Sequence, residues 1–134
     1  QYPNYRYVFP KKDNFKTKIR VKTKRLLETT ERAALLVRDD TKEKANLIRL
    51  KAEQERLIIN SNSPEIGKIY EEINIYLEGE PIEIVFNSKY LLDALKVVGA
   101  EDIYIELISA LSPGTIRNVE SEEYIYLILP VRTA

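Results

Sequence analysis

The feature that most constrains this chain is a ten-residue stretch that occurs twice. IRVKTKRLLE, residues 19–28, aligns with IVFNSKYLLD, residues 84–93, at a separation of 65 positions. Four aligned positions are identical, and the pairs Val/Phe, Thr/Ser and Glu/Asp are similar. In both copies, alternating apolar residues give way to apolar residues at helical spacing, which predicts a strand that leads into a helix. A repeated junction of this kind predicts two related halves in one chain of 134 residues.

The elements around this junction follow the same order in both halves. Apolar periodicity predicts helices over 24–37 and 89–98, with Thr23 and Ser88 as their N-caps. Glu78-Gly79 is a turn pattern between the halves. Alternating or continuous apolar runs predict strands at 15–22, 46–52, 56–60, 69–77, 81–86, 102–108, 114–119 and 123–129.

These elements indicate an α+β fold with the internally duplicated order βαβββ-βαβββ. Amphipathic helices need an apolar surface to cover, and eight strands supply it, so we expect two helices side by side across two antiparallel four-stranded sheets. Residues 1–14 contain two prolines and are predicted to be an interdomain lead-in and linker. The domain itself is predicted at 15–134, with repeat one at about 15–78 and repeat two at about 80–134.

The composition argues against catalysis. The chain has no histidine and no cysteine, which removes the commonest general base, disulfides and thiolate metal sites. The acid pairs Asp39-Asp40, Glu71-Glu72 and Glu122-Glu123 are adjacent, and neighbours in a strand point to opposite faces. We therefore expect no active site, no metal and no cofactor, and a binding or assembly module in place of an enzyme.

Charge is balanced overall but unevenly distributed. The chain carries 21 basic and 21 acidic residues, yet residues 11–25 hold eight basic residues and one acid. This basic stretch either contacts nucleic acid or is a solvated strand face. No apolar run reaches the ~18 residues of a membrane helix, and no signal peptide is visible, so a soluble cytoplasmic protein is expected. The chain begins with Gln1 and lacks methionine, so we expect a piece of a longer protein.

Two features are candidates for binding. The outward face of the first predicted helix, otherwise charged, also carries Leu35, with Leu36 at its edge. This pair either contacts another chain or packs at the helix end. The final YIYLILPVRTA, residues 124–134, is apolar on both strand faces. It is either a strand buried on both sides or a strand with one face lining a groove for a partner peptide.

Several motifs resemble one family. FNSKYLLDALK (86–96), SPGTIR (112–117) and YLILPVR (126–132) are similar to the C-terminal third of the bacterial DNA polymerase III β subunit, the replication sliding clamp. YPNYRYVFP (2–10), ERAALL (31–36) and SNSPEIGK (61–68) occur in the expected order. The resemblance implies a DNA-clamp fold and a longer protein with three such domains. Two of those chains would close head to tail into a ring around duplex DNA and tether DNA polymerase III for processive synthesis.

The resemblance also implies roles for particular residues. Leu35 and Leu36 would form half of the ring interface of the homodimer. The DNA-facing cations of the helices would be Lys24, Arg25, Arg32, Lys89 and Lys96. Short motifs of DNA polymerase III alpha, clamp-loader subunits and repair polymerases would bind a partner-peptide groove made by Pro3, Tyr7, Val8, Asn87, Tyr90, Leu111, Pro113, Leu127, Leu129, Pro130, Val131 and Arg132.

Two other functions compete with this one. A standalone protein–protein adaptor with a duplicated fold and no DNA contact would keep the groove and lose the basic helical surface. A nuclease that uses clustered acids would need a base and a converging geometry that the residues do not supply. The resemblance implies that polymerase and exonuclease activities belong to the holoenzyme, and no residue of this chain is predicted to perform either reaction.

Overall fold

The structure is a computed structural model that describes residues 15–35, 47–63, 67–120 and 125–131. The predicted linker over 1–14 lies outside these ranges. Neither helix in the described ranges is long and apolar enough to cross a membrane.

One antiparallel sheet contains five of the described strands, in the spatial order β5-β1-β7-β8-β9. In β1 the residues Thr17, Ile19 and Val21 are buried while the intervening cations face outward, as the alternation predicts. Because it is last in this order, β9 is an edge strand. The five strands are β1 (Thr17–Lys22), β5 (Tyr76–Gly79), β7 (Asp102–Leu107), β8 (Gly114–Asn118) and β9 (Ile125–Ile128).

The other antiparallel sheet contains four described strands, in the order β4-β3-β2-β6. Leu57 and Ile59 of β3 face the core and are fully buried. The strands of this sheet are β2 (Leu47–Glu53), β3 (Arg56–Ser63), β4 (Gly67–Asn74) and β6 (Ile82–Asn87).

The strand predicted over 69–77 is divided between the two sheets. β4 ends at Asn74, the buried Ile75 donates its N–H to Glu55 O at 3.0 Å, and β5 then pairs with β1. The described chain therefore has sheets of five and four strands where two sheets of four were expected. The α+β class with two helices and two antiparallel sheets is confirmed. Apolar alternation continues unbroken through Ile75, so it does not reveal the change of sheet.

The helices α1 (Thr23–Leu35) and α2 (Ser88–Val98) pack against each other and across the sheets. Leu26 and Leu91 occupy equivalent positions of the repeat, and both are fully buried. The sequence expectation that Ser88 caps α2 is wrong. Asn87 is the N-cap, because its backbone is extended and its side-chain oxygen accepts the N–H groups of Lys89 and Tyr90.

The segment that follows β9 also connects the two sheets. The backbone N–H of Val131 donates to Val85 O of β6 at 2.8 Å. Leu129 and Pro130 therefore run from the edge of the five-stranded sheet to the edge of the four-stranded sheet, and the chain reaches the start of α2.

Candidate functional site

Three segments that are distant in sequence meet where β9 ends. Gly114 at the start of β8 pairs with Ile128, so Pro113 and Leu129 are next to each other in the antiparallel register. Val131 is hydrogen-bonded to Val85, two residues before the N-cap Asn87 of α2. The end of β9, the turn before β8 and the start of α2 therefore form one surface.

This surface is apolar. Tyr90, Leu111 and Leu129 expose 62%, 57% and 60% of their surface, and each comes from a different one of the three segments. Leu127 and Pro113 are half-buried beside them. Large apolar side chains that converge from separate segments are typical of a surface that binds a partner.

Local hydrogen bonds order the backbone that carries the exposed side chains. The Leu111 N–H donates to Ser109 Oγ at 3.1 Å, and the hydroxyl oxygens of Ser109 and Ser112 are 2.9 Å apart. The Asn87 cap bonds the N–H of Tyr90 at 3.4 Å. Leu111 and Tyr90 are thus carried on ordered backbone, which lowers the entropy lost when a partner binds.

The structure brings together those predicted groove residues that lie within its described ranges. Pro3, Tyr7, Val8 and Arg132 lie outside them and stay predictions. The residues that meet are Asn87, Tyr90, Leu111, Pro113, Leu127, Leu129, Pro130 and Val131.

The predicted DNA-facing cations Lys24, Arg25, Arg32, Lys89 and Lys96 are all exposed. Arg32 differs from the others because its Nη2 lies 2.6 Å from Glu71 Oε2 on β4. The Thr29 hydroxyl donates to the same carboxylate. This ion pair directs the Arg32 charge toward β4, so the more accessible cations are the other four.

A shallow depression runs between α1 and α2. Lys89 and Lys96 line it together with Asp93, Leu92 and, from α1, Glu31. Two cations and two acids line the depression, so it carries no net charge, and the weak positive charge of the helical surface comes from cations outside it such as Lys24 and Arg25. Such a surface gives weak, salt-sensitive attraction to phosphates in place of tight binding.

The predicted ring interface lies at the limit of the described residues. α1 ends at Leu35, whose side chain is not described, and Leu36 lies outside the described ranges. The role of this pair stays a prediction.

The acidic pair Glu71-Glu72 points in two directions, as expected of neighbours in a strand. Glu71 contacts Arg32 of α1, whereas Glu72 pairs with Arg56 at 3.1 Å and accepts the Tyr70 hydroxyl at 2.8 Å. Asp39-Asp40 and Glu122-Glu123 lie outside the described ranges. Within those ranges, no group of three or more acidic side chains could hold a metal ion.

The pKa shifts in the described chain belong to surface contacts between neighbouring strands or residues. The hydrogen bond to Asp102 is the largest cause that raises the pKa of Arg20. The pKa of Tyr70 is raised first by its hydrogen bond to the Glu72 carboxylate. Both contacts are stabilising surface pairs and neither brings an acid and a base to a common substrate position.

The sequence did not single out a buried polar cluster beside this surface. Glu106 of β7 and Arg117 of β8 form an ion pair at 3.0 Å. The two residues are eleven positions apart and lie in separate strands, so only the strand register brings them together. Both residues alternate out of phase with the core positions Ile105 and Ile116, so the sequence pattern predicts exposed side chains and does not indicate their burial.

Comparison with known proteins places the chain in a family. The model of the C-terminal domain of the DNA polymerase III beta subunit matches residues 6–132. The beta sliding clamp of Bacillus subtilis strain 168 is 42% identical over 134 residues, which cover 98% of this chain and 34% of that protein.

Comparison with solved structures leads to the same family. The DNA polymerase sliding clamp from Bacillus subtilis superposes with a TM-score of 0.88 at 41% identity, over 100% of this chain and 34% of that one. The DNA polymerase III beta subunit from Thermotoga maritima gives a TM-score of 0.84 at 29% identity, over 100% of this chain and 35% of that one. The chain thus spans about a third of the length of these relatives. Because the relatives are beta sliding clamps, the standalone adaptor is not favoured. This chain belongs to the family formed by the C-terminal domain of the DNA polymerase III beta subunit.

Proposed function

We propose that this chain serves as the C-terminal domain of a bacterial replication sliding clamp. The full-length protein would form a homodimeric ring that encircles duplex DNA and tethers DNA polymerase III, as a cytoplasmic processivity factor with no catalytic activity of its own. The observation that carries this proposal is the 42% identity to a beta sliding clamp over 98% of the chain. Residues 15–134 would be the domain body and 1–14 the linker from the preceding domain.

The helical surface supports the DNA-facing role. Lys24, Arg25, Lys89 and Lys96 are exposed on α1 and α2, and acids lie between them. Strong phosphate binding would hold the ring at one position, because each contact releases counterions and adds affinity. A weakly positive surface is compatible with sequence-independent sliding along duplex DNA.

The apolar surface around Tyr90, Leu111 and Leu129 supports the peptide-binding role. Large apolar side chains of a partner motif would be buried against it, and each would contribute roughly 1.5–3 kcal/mol. We propose that DNA polymerase III alpha, clamp-loader subunits and repair polymerases use this groove. The full set of groove residues, including Pro3, Tyr7, Val8 and Arg132, is that named from the sequence.

The experiment uses the full-length protein and a peptide containing glutamine and large apolar residues. The double substitution Tyr90→Ala and Leu129→Ala should raise the dissociation constant of the peptide at least about tenfold. Two exposed apolar side chains are lost, and a loss of about 1.4 kcal/mol in binding free energy corresponds to a factor of ten. Isothermal titration calorimetry measures the dissociation constant. Primer extension on circular DNA should show shorter products with the same variant.

Ile125→Ala is the matched control, since Ile125 is a partly exposed apolar residue on β9 outside the predicted groove. It should leave the dissociation constant unchanged. Equal binding by the native protein and the double variant, or NMR signals of Leu129 and Val131 that do not move on titration, would contradict the groove.

A further inference from the structure

A buried polar cluster joins β7 to β8 on the outer face of the five-stranded sheet. Arg117 donates from Nε to Glu106 Oε1 at 3.0 Å and from Nη2 to Oε2 at 3.1 Å. The Thr115 hydroxyl donates to Glu106 Oε1 at 3.2 Å. The side chains of Glu106 and Arg117 are each only 8% exposed. The Glu106 carboxylate therefore accepts hydrogen bonds from three protein donor groups in place of water.

The strand register places this cluster beside the groove. Thr115 pairs with Leu127 and Arg117 pairs with Ile125 in β9. Residues that pair directly lie on the same face of a sheet. Leu127 of the predicted groove therefore lies next to Thr115, on the face that carries the Glu106–Arg117 pair.

Stability alone does not explain a buried ion pair at this position. Desolvation of both charges offsets most of their attraction, and well-packed apolar residues of similar size often replace such pairs without loss of stability. Separation of the partners, in contrast, leaves a buried charge without compensation. The cluster therefore penalises every β7–β8 register other than the observed one, in which Glu106 lies opposite Thr115.

The position of β9 depends on β8. β9 has four residues, and its ladder partner within the described residues is β8. β8 is also held closely against β7, because a Cβ at Gly114 would lie 2.4 Å from Leu107 Cδ2. A displacement of β8 would carry Leu127 and Leu129 with it.

We propose that Glu106, Thr115 and Arg117 are positioning residues for the groove. They hold β8, and through it β9, in the register that presents Leu127 and Leu129 to a partner peptide. This inference rests on the proposed peptide-binding function. Arg117 is further oriented by the Tyr104 ring, whose centroid lies 4.7 Å from the guanidinium carbon.

The test combines an apolar replacement with two measurements on the full-length protein. Glu106→Leu with Arg117→Met removes both charges at similar volume, so the melting temperature should stay within a few degrees of the native value. The peptide dissociation constant should rise about tenfold, since a loosened supporting layer misplaces the groove residues. The backbone amide NMR signals of Leu127 and Leu129 should shift or broaden without peptide.

The exposed pair Arg49–Glu83 in the other sheet supplies the matched control. Arg49→Met with Glu83→Leu should change neither the dissociation constant nor the Leu127 and Leu129 signals. A folded Glu106/Arg117 double variant with native peptide affinity and native amide signals would overturn the proposal.

A second variant pair keeps the proposal testable if the double variant does not fold. Thr115→Val removes the hydroxyl and keeps the shape of the side chain, so it should raise the dissociation constant of the peptide and shift the amide signals of Leu127 and Leu129. Thr115→Ser keeps the hydroxyl and should leave the dissociation constant and both signals at their native values. Identical behaviour of the Val and Ser variants would overturn the proposal. Should the native protein bind no peptide, the proposed function fails, and the amide signals alone then decide the positioning role.

Discussion

Gly79 lies in the turn between the two halves, at a position that a residue with a Cβ would occupy only with strain. Its φ is +96°, a region that residues with a Cβ rarely adopt, and a Cβ there would lie 2.0 Å from Lys16 O. Gly99, the C-cap of α2, also has a positive φ of +60°, but the nearest atom to its added Cβ is 3.7 Å away. The sequence identified the turn at Glu78-Gly79. The close approach of Lys16 depends on the pairing of β5 with β1, so it could not be predicted from the residues around the turn.

The two glycines predict different losses of stability. Gly79→Ala combines an unfavourable φ with a backbone clash and should lower the free energy of unfolding by at least about 3 kcal/mol. Gly99→Ala meets only the conformational cost and should lower it by about 1 kcal/mol. Urea denaturation of both variants measures the difference. Equal losses would show that the β5 turn relaxes to accept a side chain.

The start of α2 is the clearest case at the scale of an element. Asn87 and Ser88 are both common capping residues, and the sequence pattern predicted the cap at Ser88. The structure assigns the cap to Asn87, whose side-chain oxygen lies 2.9 Å from the Lys89 nitrogen. Ser88 is fully buried, and its hydroxyl has no hydrogen-bond partner within the described residues.

This assignment predicts opposite results for two neighbouring substitutions. Asn87→Ala should lower the free energy of unfolding by about 1 kcal/mol, because two N–H groups at the start of α2 lose their acceptor. Ser88→Ala should be neutral or stabilising within about 0.5 kcal/mol, since a buried hydroxyl without a partner is removed. Thermal unfolding followed by circular dichroism compares the two. A larger loss for Ser88→Ala would return the capping role to Ser88.

At the scale of the whole molecule, the last segment of each half crosses to the other sheet and contacts the first strand of its own half. β5 follows β4 of the four-stranded sheet yet pairs with β1, where Arg20 lies opposite Tyr76. Val131 follows β9 of the five-stranded sheet yet bonds to Val85, which is 65 positions after Arg20. The duplication is therefore visible in the tertiary contacts, and the halves share one core. The repeat boundaries at about 15–78 and 80–134 stay predictions.

The proposed ring makes a prediction at the same scale. Leu35→Ala with Leu36→Ala in the full-length protein should give monomers, because two apolar side chains would be lost from each ring interface. Analytical ultracentrifugation measures the sedimentation coefficient. Val97→Ala, an exposed apolar change on α2, is the control and should leave dimers intact. Intact dimers of the Leu35/Leu36 variant would contradict the interface assignment.

The groove residues are named from a family resemblance and stay predictions. By itself, the sequence determined the element order, apart from the division of one strand, and the buried faces of α1 and β1. These follow from spacing between near neighbours, where a 3.6-residue or two-residue period carries the information. Tertiary structure decided the division of one predicted strand at Ile75, the cap at Asn87 and the buried Glu106–Arg117 pair. Each of these depends on which strand lies beside which, and pairing between distant strands is not encoded in the local period of either one.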